Sequence, residues 1–91
     1  MGALYGYAYS EAALKYLETV PARIRGQIKQ RIEALASNPT PPGCKKLQGV
    51  TDGDYPVYRV RQGDYRILYS VRGSPHQIVV IDIGHRKDIY R

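Results

Sequence analysis

Three arginines that are predicted to share one face of a β-hairpin are the residues of this chain best suited to chemistry. Arg59 and Arg61 precede the dipeptide Gly63-Asp64, and Arg66 follows it. Because side chains alternate along a strand, all three arginines should point to the same face. Like charges that oppose each other across a ladder are unfavourable, and guanidinium groups stay ionised. This arrangement predicts an anionic group, such as a phosphate, between Arg61 and Arg66.

The register of this hairpin follows from its turn. Gly63 and Asp64 both tolerate positive φ angles, which is typical of a two-residue hairpin loop. The loop predicts three cross-strand pairs: Gln62 with Tyr65, Arg61 with Arg66, and Val60 with Ile67. Alternation then predicts an apolar face opposite the arginines, made of Tyr58, Val60, Ile67, Tyr69 and Val71.

Cleavage of RNA without a metal is one reaction that such arginines could support. It requires a base for the 2′-hydroxyl, positive charge for a phosphorane-like transition state, and an acid for the departing 5′-oxygen. Arginines serve the second need, because they fork onto phosphate oxygens and keep their charge. For proton transfer the sequence offers His85 and Tyr90, on either side of Arg86.

The location of His85, Arg86 and Tyr90 depends on the last predicted strand, residues 78–83. If that strand lies beside the hairpin, all three residues should fall near the edge of the arginine face. A neutral His85 could then act as a base, and Tyr90 could transfer a proton or stack on a nucleobase. A histidine directly after Gly84 is also typical of a surface loop without catalytic function, and spacing leaves both interpretations open.

Length and composition restrict the class of protein. The chain has 91 residues, which predicts a single domain over residues 1–91, and a formal charge of +6, which favours a polyanionic partner such as RNA, DNA or an acidic protein. One cysteine excludes an internal disulfide and fits a reducing cytoplasm, while the two distant histidines give no zinc spacing. No apolar run reaches the roughly 20 residues of a membrane-spanning helix. We therefore expect no metal, no cofactor and no membrane association.

The periodicity of the first half predicts a strand followed by two helices. Tyrosines at every second position predict a strand over residues 3–9, and Ser10 suits a helix N-cap. The first helix should end near Val20. Pro21 then suits the start of a second helix, whose apolar stripe is Ile24, Ile28, Ile32 and Leu35.

The second half predicts a sheet. A proline-rich connector, residues 38–43, is followed by the hairpin at about residues 55–72 and by the strand at residues 78–83, which is apolar on both faces and should lie in the middle of the sheet. The predicted fold class is α+β. An N-terminal strand and an αα-hairpin precede three to four antiparallel strands, with the helices packed on one face of the sheet.

Three stretches of the chain resemble the RelE/ParE superfamily of bacterial and archaeal toxins. They are Lys46-Leu47-Gln48-Gly49, the run from Tyr58 to Tyr69, and Gly84-His85-Arg86 with Tyr90. The resemblance implies a toxin held inactive by a cognate antitoxin, which we expect to be acidic and encoded by the adjacent gene. It further implies a ribosome-dependent endoribonuclease that enters the A site of the 30S subunit and cuts mRNA through 2′-hydroxyl attack.

The resemblance also assigns roles to residues. Basic residues before the hairpin turn, an arginine after it, an arginine after the last long strand and a late aromatic residue all have counterparts here. The predicted catalytic set is Arg59, Arg61, Arg66, His85, Arg86 and Tyr90. Further contacts to RNA or the ribosome are predicted for Lys45, Lys46, Arg72, Lys87 and Arg91.

Two other functions remain open from the sequence. Within the same superfamily, the ParE branch poisons DNA gyrase without cutting RNA. A plain RNA-binding module is the other, in which arginines hold the backbone and tyrosines stack on bases without turnover.

Overall fold

A computed structural model describes residues 5–73 and 76–85 of the chain, and these residues form two helices and five strands. The elements in chain order are β1 (Gly6–Tyr9), α1 (Glu11–Glu18), α2 (Ala22–Leu35), β2 (Lys45–Asp52), β3 (Tyr55–Gln62), β4 (Tyr65–Gly73) and β5 (His76–His85). The predicted α+β order, with a strand and two helices before the main sheet, is confirmed.

Ser10 connects the start of α1 to the sheet. Its Oγ accepts a hydrogen bond from the Ala13 N–H at 3.1 Å, as expected of an N-cap. The same Oγ donates to the Ile81 carbonyl at 2.6 Å, and the Ser10 N–H donates to the Val80 carbonyl at 2.8 Å. One residue therefore fixes both the first turn of the helix and its attachment to β5.

The strands lie in the order β1-β5-β4-β3-β2. β1 runs parallel to β5, and the other neighbouring pairs are antiparallel. β5 thus has a strand on each side, but the middle strand of the sheet is β4, so the prediction that residues 78–83 are central was wrong by one position. The reason is β2, which adds one strand beyond β3 and moves the centre of the sheet to β4.

Both helices pack against one face of the sheet. Their buried residues meet the buried residues of β3, β4 and β5 in one apolar cluster. Its sheet members are Val60, Ile67, Tyr69, Ile78, Val80 and Ile83, and its helical members include Leu17, Ile28, Ile32 and Leu35. Neither helix in residues 5–73 and 76–85 is long and apolar enough to cross a membrane.

Tyr69 closes this cluster below the proline-rich connector. Its side chain is fully buried, and its hydroxyl donates to the Pro39 carbonyl at 2.6 Å. Burial, followed by the nearby Cys44 thiol, raises the pKa of Tyr69 well above its ordinary value. The hydroxyl therefore stays protonated and holds the connector to the sheet.

Candidate functional site

The β3–β4 hairpin has the register that its turn predicts. Gln62 pairs with Tyr65, Arg61 with Arg66, and Val60 with Ile67. Gly63 has a φ of 59°, and no described residue other than glycine has a positive φ. A positive φ at the first turn residue alone is typical of a type II′ turn, so the turn uses the tolerance of Gly63 for positive φ and not that of Asp64.

The face of the sheet opposite the helices carries the predicted arginines. We call Lys45, Arg59, Arg61 and Arg66 the basic face, because the register puts them on the side away from the buried cluster. Arg61 opposes Arg66 across the ladder, and Lys45 opposes Arg59. Arg61 is exposed, whereas Arg59 and Arg66 are half-buried and their Nε atoms are fully covered. The stems of these two side chains therefore lie along the sheet.

A small cavity lies at the turn end of the basic face. Its volume is about 80 Å³, and its lining consists of Arg61, Gly63, Asp64, Tyr65 and Arg66. A water molecule occupies roughly 30 Å³ of liquid, so the cavity suits a group of a few heavy atoms, such as a phosphate. The sequence pattern predicts only a turn role for Asp64, but its carboxyl group also brings a negative charge beside the two arginines.

His85 lies at the same end of the sheet as this cavity but on the helix-bearing face. It pairs with Tyr65, one position beyond the Arg66–Gly84 pair, and its ring lies 5.5 Å from the Tyr65 ring in a T-shaped arrangement. Tyr65 in turn packs against the core and lies 6.4 Å from the Tyr16 ring of α1. The sequence predicts His85 near the edge of the arginine face, and the structure places it at that end of the sheet, one position beyond Arg66. Gly84, which has no side chain, occupies the position opposite Arg66 on the basic face.

A β-bulge in β5 puts His85 on the helix-bearing face. Tyr69 pairs with Val80 and Leu68 pairs with Asp82, so Ile81 is one residue in excess. An extra residue reverses the alternation of every side chain that follows it. Without the bulge, His85 would point to the basic face.

The remaining basic residues that the sequence singled out have different locations. Lys46 pairs with Tyr58 and is exposed, one position along β2 from Lys45. Arg72 lies six residues along β4 from Arg66, about 20 Å away at 3.3 Å per residue. The predicted site residues Arg86, Lys87, Tyr90 and Arg91 lie outside the described residues.

Arg72 takes part in a polar network at its own end of the sheet. Its Nη2 atom contacts the Asp52 Oδ2 atom at 2.8 Å, and its guanidinium lies 4.8 Å from the centre of the Tyr55 ring. The buried Ser70 hydroxyl donates to the same Asp52 oxygen at 2.9 Å. The hydrogen bond from Arg72, and then that from Ser70, lowers the pKa of Asp52. This network ties β2 to β4 across β3.

Residues 5–73 and 76–85 contain no cluster of three or more histidine, cysteine, aspartate or glutamate side chains that could hold a metal ion. The basic face offers fixed positive charge at one end of the sheet. Guanidinium groups in this arrangement can bind a phosphate and stabilise additional negative charge on it.

Comparison with known proteins assigns this fold and sequence to a family. Residues 7–90 match the family described as "ParE toxin of type II toxin-antitoxin system, parDE". The toxin RelE3 of Methanocaldococcus jannaschii is 34% identical over 86 residues, which cover 90% of this chain and 91% of the relative. The toxin RelE of Mycobacterium tuberculosis is 28% identical over 88 residues, covering 96% and 87%.

The fold has close counterparts among solved structures. The archaeal RelE–RelB complex from Pyrococcus horikoshii contains a chain that aligns with a TM-score of 0.79 and 27% identity, covering 93% of this chain and 98% of that one. The family match spans nearly the whole sequence, and the curated relatives have almost the same length. The chain therefore belongs to the RelE/ParE superfamily of toxins of type II toxin-antitoxin systems.

Proposed function

We propose that this chain is a RelE-type toxin that enters the ribosomal A site and cleaves mRNA by attack of a 2′-hydroxyl on the neighbouring phosphate. The observation that carries the proposal is the Arg61–Arg66 pair beside a phosphate-sized cavity at the end of the basic face. The resemblance to RelE toxins is the basis for proposing mRNA as the substrate and the ribosome as the place of cleavage. No metal is required in this scheme.

Arginines suit the charge that develops in this reaction. As the 2′-oxygen attacks, a dianionic phosphorane-like transition state carries more negative charge than the phosphodiester does. Arg61 and Arg66 would hold its non-bridging oxygens, and each retains its charge because guanidinium does not titrate near neutral pH. Arg59 and Lys45 would hold the backbone phosphates beside it.

Proton transfer is assigned to His85 and Tyr90. Arginine is a poor general base, so a different group must accept the 2′-hydroxyl proton and another must protonate the 5′-oxygen. His85 is one ladder position from Arg66 but on the other face of the sheet. Its participation would require substrate that reaches around the end of β5.

The proposed partner is an acidic antitoxin encoded by the adjacent gene. The structural relative from Pyrococcus horikoshii is a RelE–RelB complex. The formal charge of +6 favours an acidic segment that neutralises the basic face and orders as it binds. Antitoxin and ribosome would then compete for the toxin in the cytoplasm.

Inhibition of DNA gyrase is the second candidate, and the ParE description of the matching family favours it. In that case the arginines would contact protein or DNA and no RNA would be cut. The basic face alone is compatible with either target.

Primer extension in a purified translation system separates the two functions. The wild-type protein should cut mRNA within translated codons, and Arg66→Ala should cut on the order of 100- to 1,000-fold more slowly. Arg66→Lys should recover part of the rate, because an ammonium keeps the charge but loses the bidentate fork. Arg23→Ala, which removes the same charge from an exposed position of α2, is the matched control and should cut normally.

If the mRNA stayed intact while supercoiling by DNA gyrase was inhibited, the nuclease proposal would be wrong and the gyrase proposal would be supported. In the same assay, His85→Gln should slow single-turnover cleavage steeply while ribosome binding persists, because it removes the proposed proton-transfer group. Wild-type rates for His85→Gln would assign proton transfer to Tyr90, which Tyr90→Phe tests.

A further inference from the structure

The end of β5 is held by side chains where a neighbouring strand is missing. β1 pairs with β5 only as far as Val80, so among the described residues the edge of β5 from Ile81 to His85 has no strand on that side. Main-chain groups at such an edge need other partners. The Ile81 carbonyl accepts from the Ser10 Oγ, and the Ile83 N–H donates to Asp82 Oδ1 at 2.9 Å.

The last of these contacts comes from α1. The His85 N–H donates to the Tyr16 hydroxyl at 3.0 Å, across 69 residues of sequence. The Tyr16 ring lies 6.4 Å from Tyr65, whose own ring lies 5.5 Å from His85. Tyr16 thus contacts the ends of both β4 and β5 at their final ladder pair, Tyr65 with His85.

We propose that Tyr16 is a positioning residue for RNA cleavage, acting through the main chain at Gly84 and His85. The peptide bond is planar, so a hydrogen bond to the His85 N–H also fixes the orientation of the Gly84 carbonyl. Gly84 pairs with Arg66 on the side of β4 away from Arg61, so fraying of this end of β5 would remove the strand that supports Arg66 on that side. This inference rests on the proposed ribonuclease function.

Tyr16→Phe tests the proposal, because it removes the hydroxyl and keeps the ring contacts. On programmed ribosomes, kcat should fall on the order of tenfold while KM stays unchanged, since small displacements of catalytic groups have large effects on rate. Amide hydrogen exchange should become roughly tenfold faster at His85 and stay unchanged at Ile67, in the middle of β4.

Tyr69→Phe is the matched control. Like Tyr16→Phe, it removes one hydroxyl that makes a main-chain hydrogen bond on the helix side of the sheet. The Tyr69 hydroxyl donates this bond to the Pro39 carbonyl at 2.6 Å. Tyr69 pairs with Tyr58 and Val80, away from the ladder end. Its kcat and the exchange of the His85 amide should match those of the wild type.

Four results would overturn the inference. They are an unchanged kcat in Tyr16→Phe, an equal fall of kcat in both variants, an unchanged His85 exchange rate, and failure of Tyr16→Phe to fold. The first three leave the ribonuclease function in place when the wild type cuts RNA. A wild-type protein that cuts no RNA overturns the proposed function and the inference together.

Discussion

Arg61 and Arg66 face each other across the β3–β4 ladder, where two like charges raise the free energy of the folded state. Two opposed guanidinium groups repel each other, but a phosphate bound between them would attract both and make the arrangement favourable. The cavity that both residues line, with Asp64 at the turn, is the place where this reversal can occur. An anion bound between the two guanidinium groups would therefore also stabilise the fold.

Arg61→Gln should stabilise the free protein while impairing cleavage. Removing one of two opposed charges should raise the free energy of unfolding by about 0.2 to 1 kcal/mol, because the cross-strand repulsion disappears. Urea unfolding at low ionic strength measures this. Arg23→Gln removes an exposed charge from α2 and serves as the control. An Arg61→Gln protein less stable than the wild type would contradict the account.

The location of the arginines could be predicted from residue types alone, but that of His85 could not. Alternation and a two-residue turn decide the faces of Arg59, Arg61 and Arg66, and both signals are local. The face of His85 depends on the extra residue at Ile81. The sequence around it, Val79-Val80-Ile81-Asp82-Ile83, is apolar on both sides except at Asp82, so its alternation does not reveal a bulge.

At the scale of elements, Ser10 joins α1 to β5. Ser10→Ala removes the cap of the helix and leaves the Ile81 carbonyl without its hydroxyl donor. We expect the free energy of unfolding to fall by about 1 to 2 kcal/mol, which thermal or urea unfolding would measure. Ser10→Thr keeps the hydroxyl and should lose much less. Equal losses in the two variants would show that the hydroxyl does not matter.

The network of Asp52, Ser70 and Arg72 makes the attachment of β2 sensitive to acid. The pKa of Asp52 is lowered in the folded state, so its contribution to stability is complete above the ordinary aspartate pKa of about 3.9 and disappears as pH falls through the lower folded value. Asp52→Asn should therefore be less stable than the wild type at pH 7. The difference should shrink below about pH 4.

Unfolding by urea at several pH values tests this expectation. Asp54→Asn, an exposed aspartate in the turn between β2 and β3, is the control for the general effect of removing a carboxylate. A difference between Asp52→Asn and the wild type that stays constant down to pH 2 would mean that the carboxylate charge is not what holds the network.

The order of elements was predictable, whereas the order of strands was only partly so. Helical periodicity, the cap at Ser10 and the hairpin turn are signals within a few residues. The parallel pairing of β1 with β5 joins Gly6 to Gln77, and no local pattern encodes a contact across that distance. The strand predicted to be central proved to be next to the centre, because β2 adds a strand at the far edge of the sheet.

For the whole molecule, a charge of +6 predicts binding that depends strongly on salt. If Lys45, Arg59, Arg61 and Arg66 each hold one phosphate, the affinity for a short single-stranded RNA should fall with a log–log slope of about −3 against salt concentration. Arg59→Gln should reduce the slope by about 0.7. Fluorescence anisotropy at several KCl concentrations measures both.

Arg23→Gln removes the same charge outside the basic face, and its slope should equal that of the wild type. Equal slopes for Arg59→Gln and Arg23→Gln would mean that RNA recognises the overall charge rather than the basic face. Composition alone could not predict the class of partner, because a net charge of +6 fits RNA, DNA or an acidic protein.

The pairing of β1 with β5 also has a consequence for how the protein is made. Ser10 and Ile81, which are hydrogen-bonded in the folded protein, are 71 residues apart in sequence. During synthesis, β1 therefore has no pairing partner until β5 has been made. At 5 to 20 residues per second, that delay lasts several seconds. During this interval β5 has joined neither β1 nor β4, so the sheet that carries the arginines is incomplete.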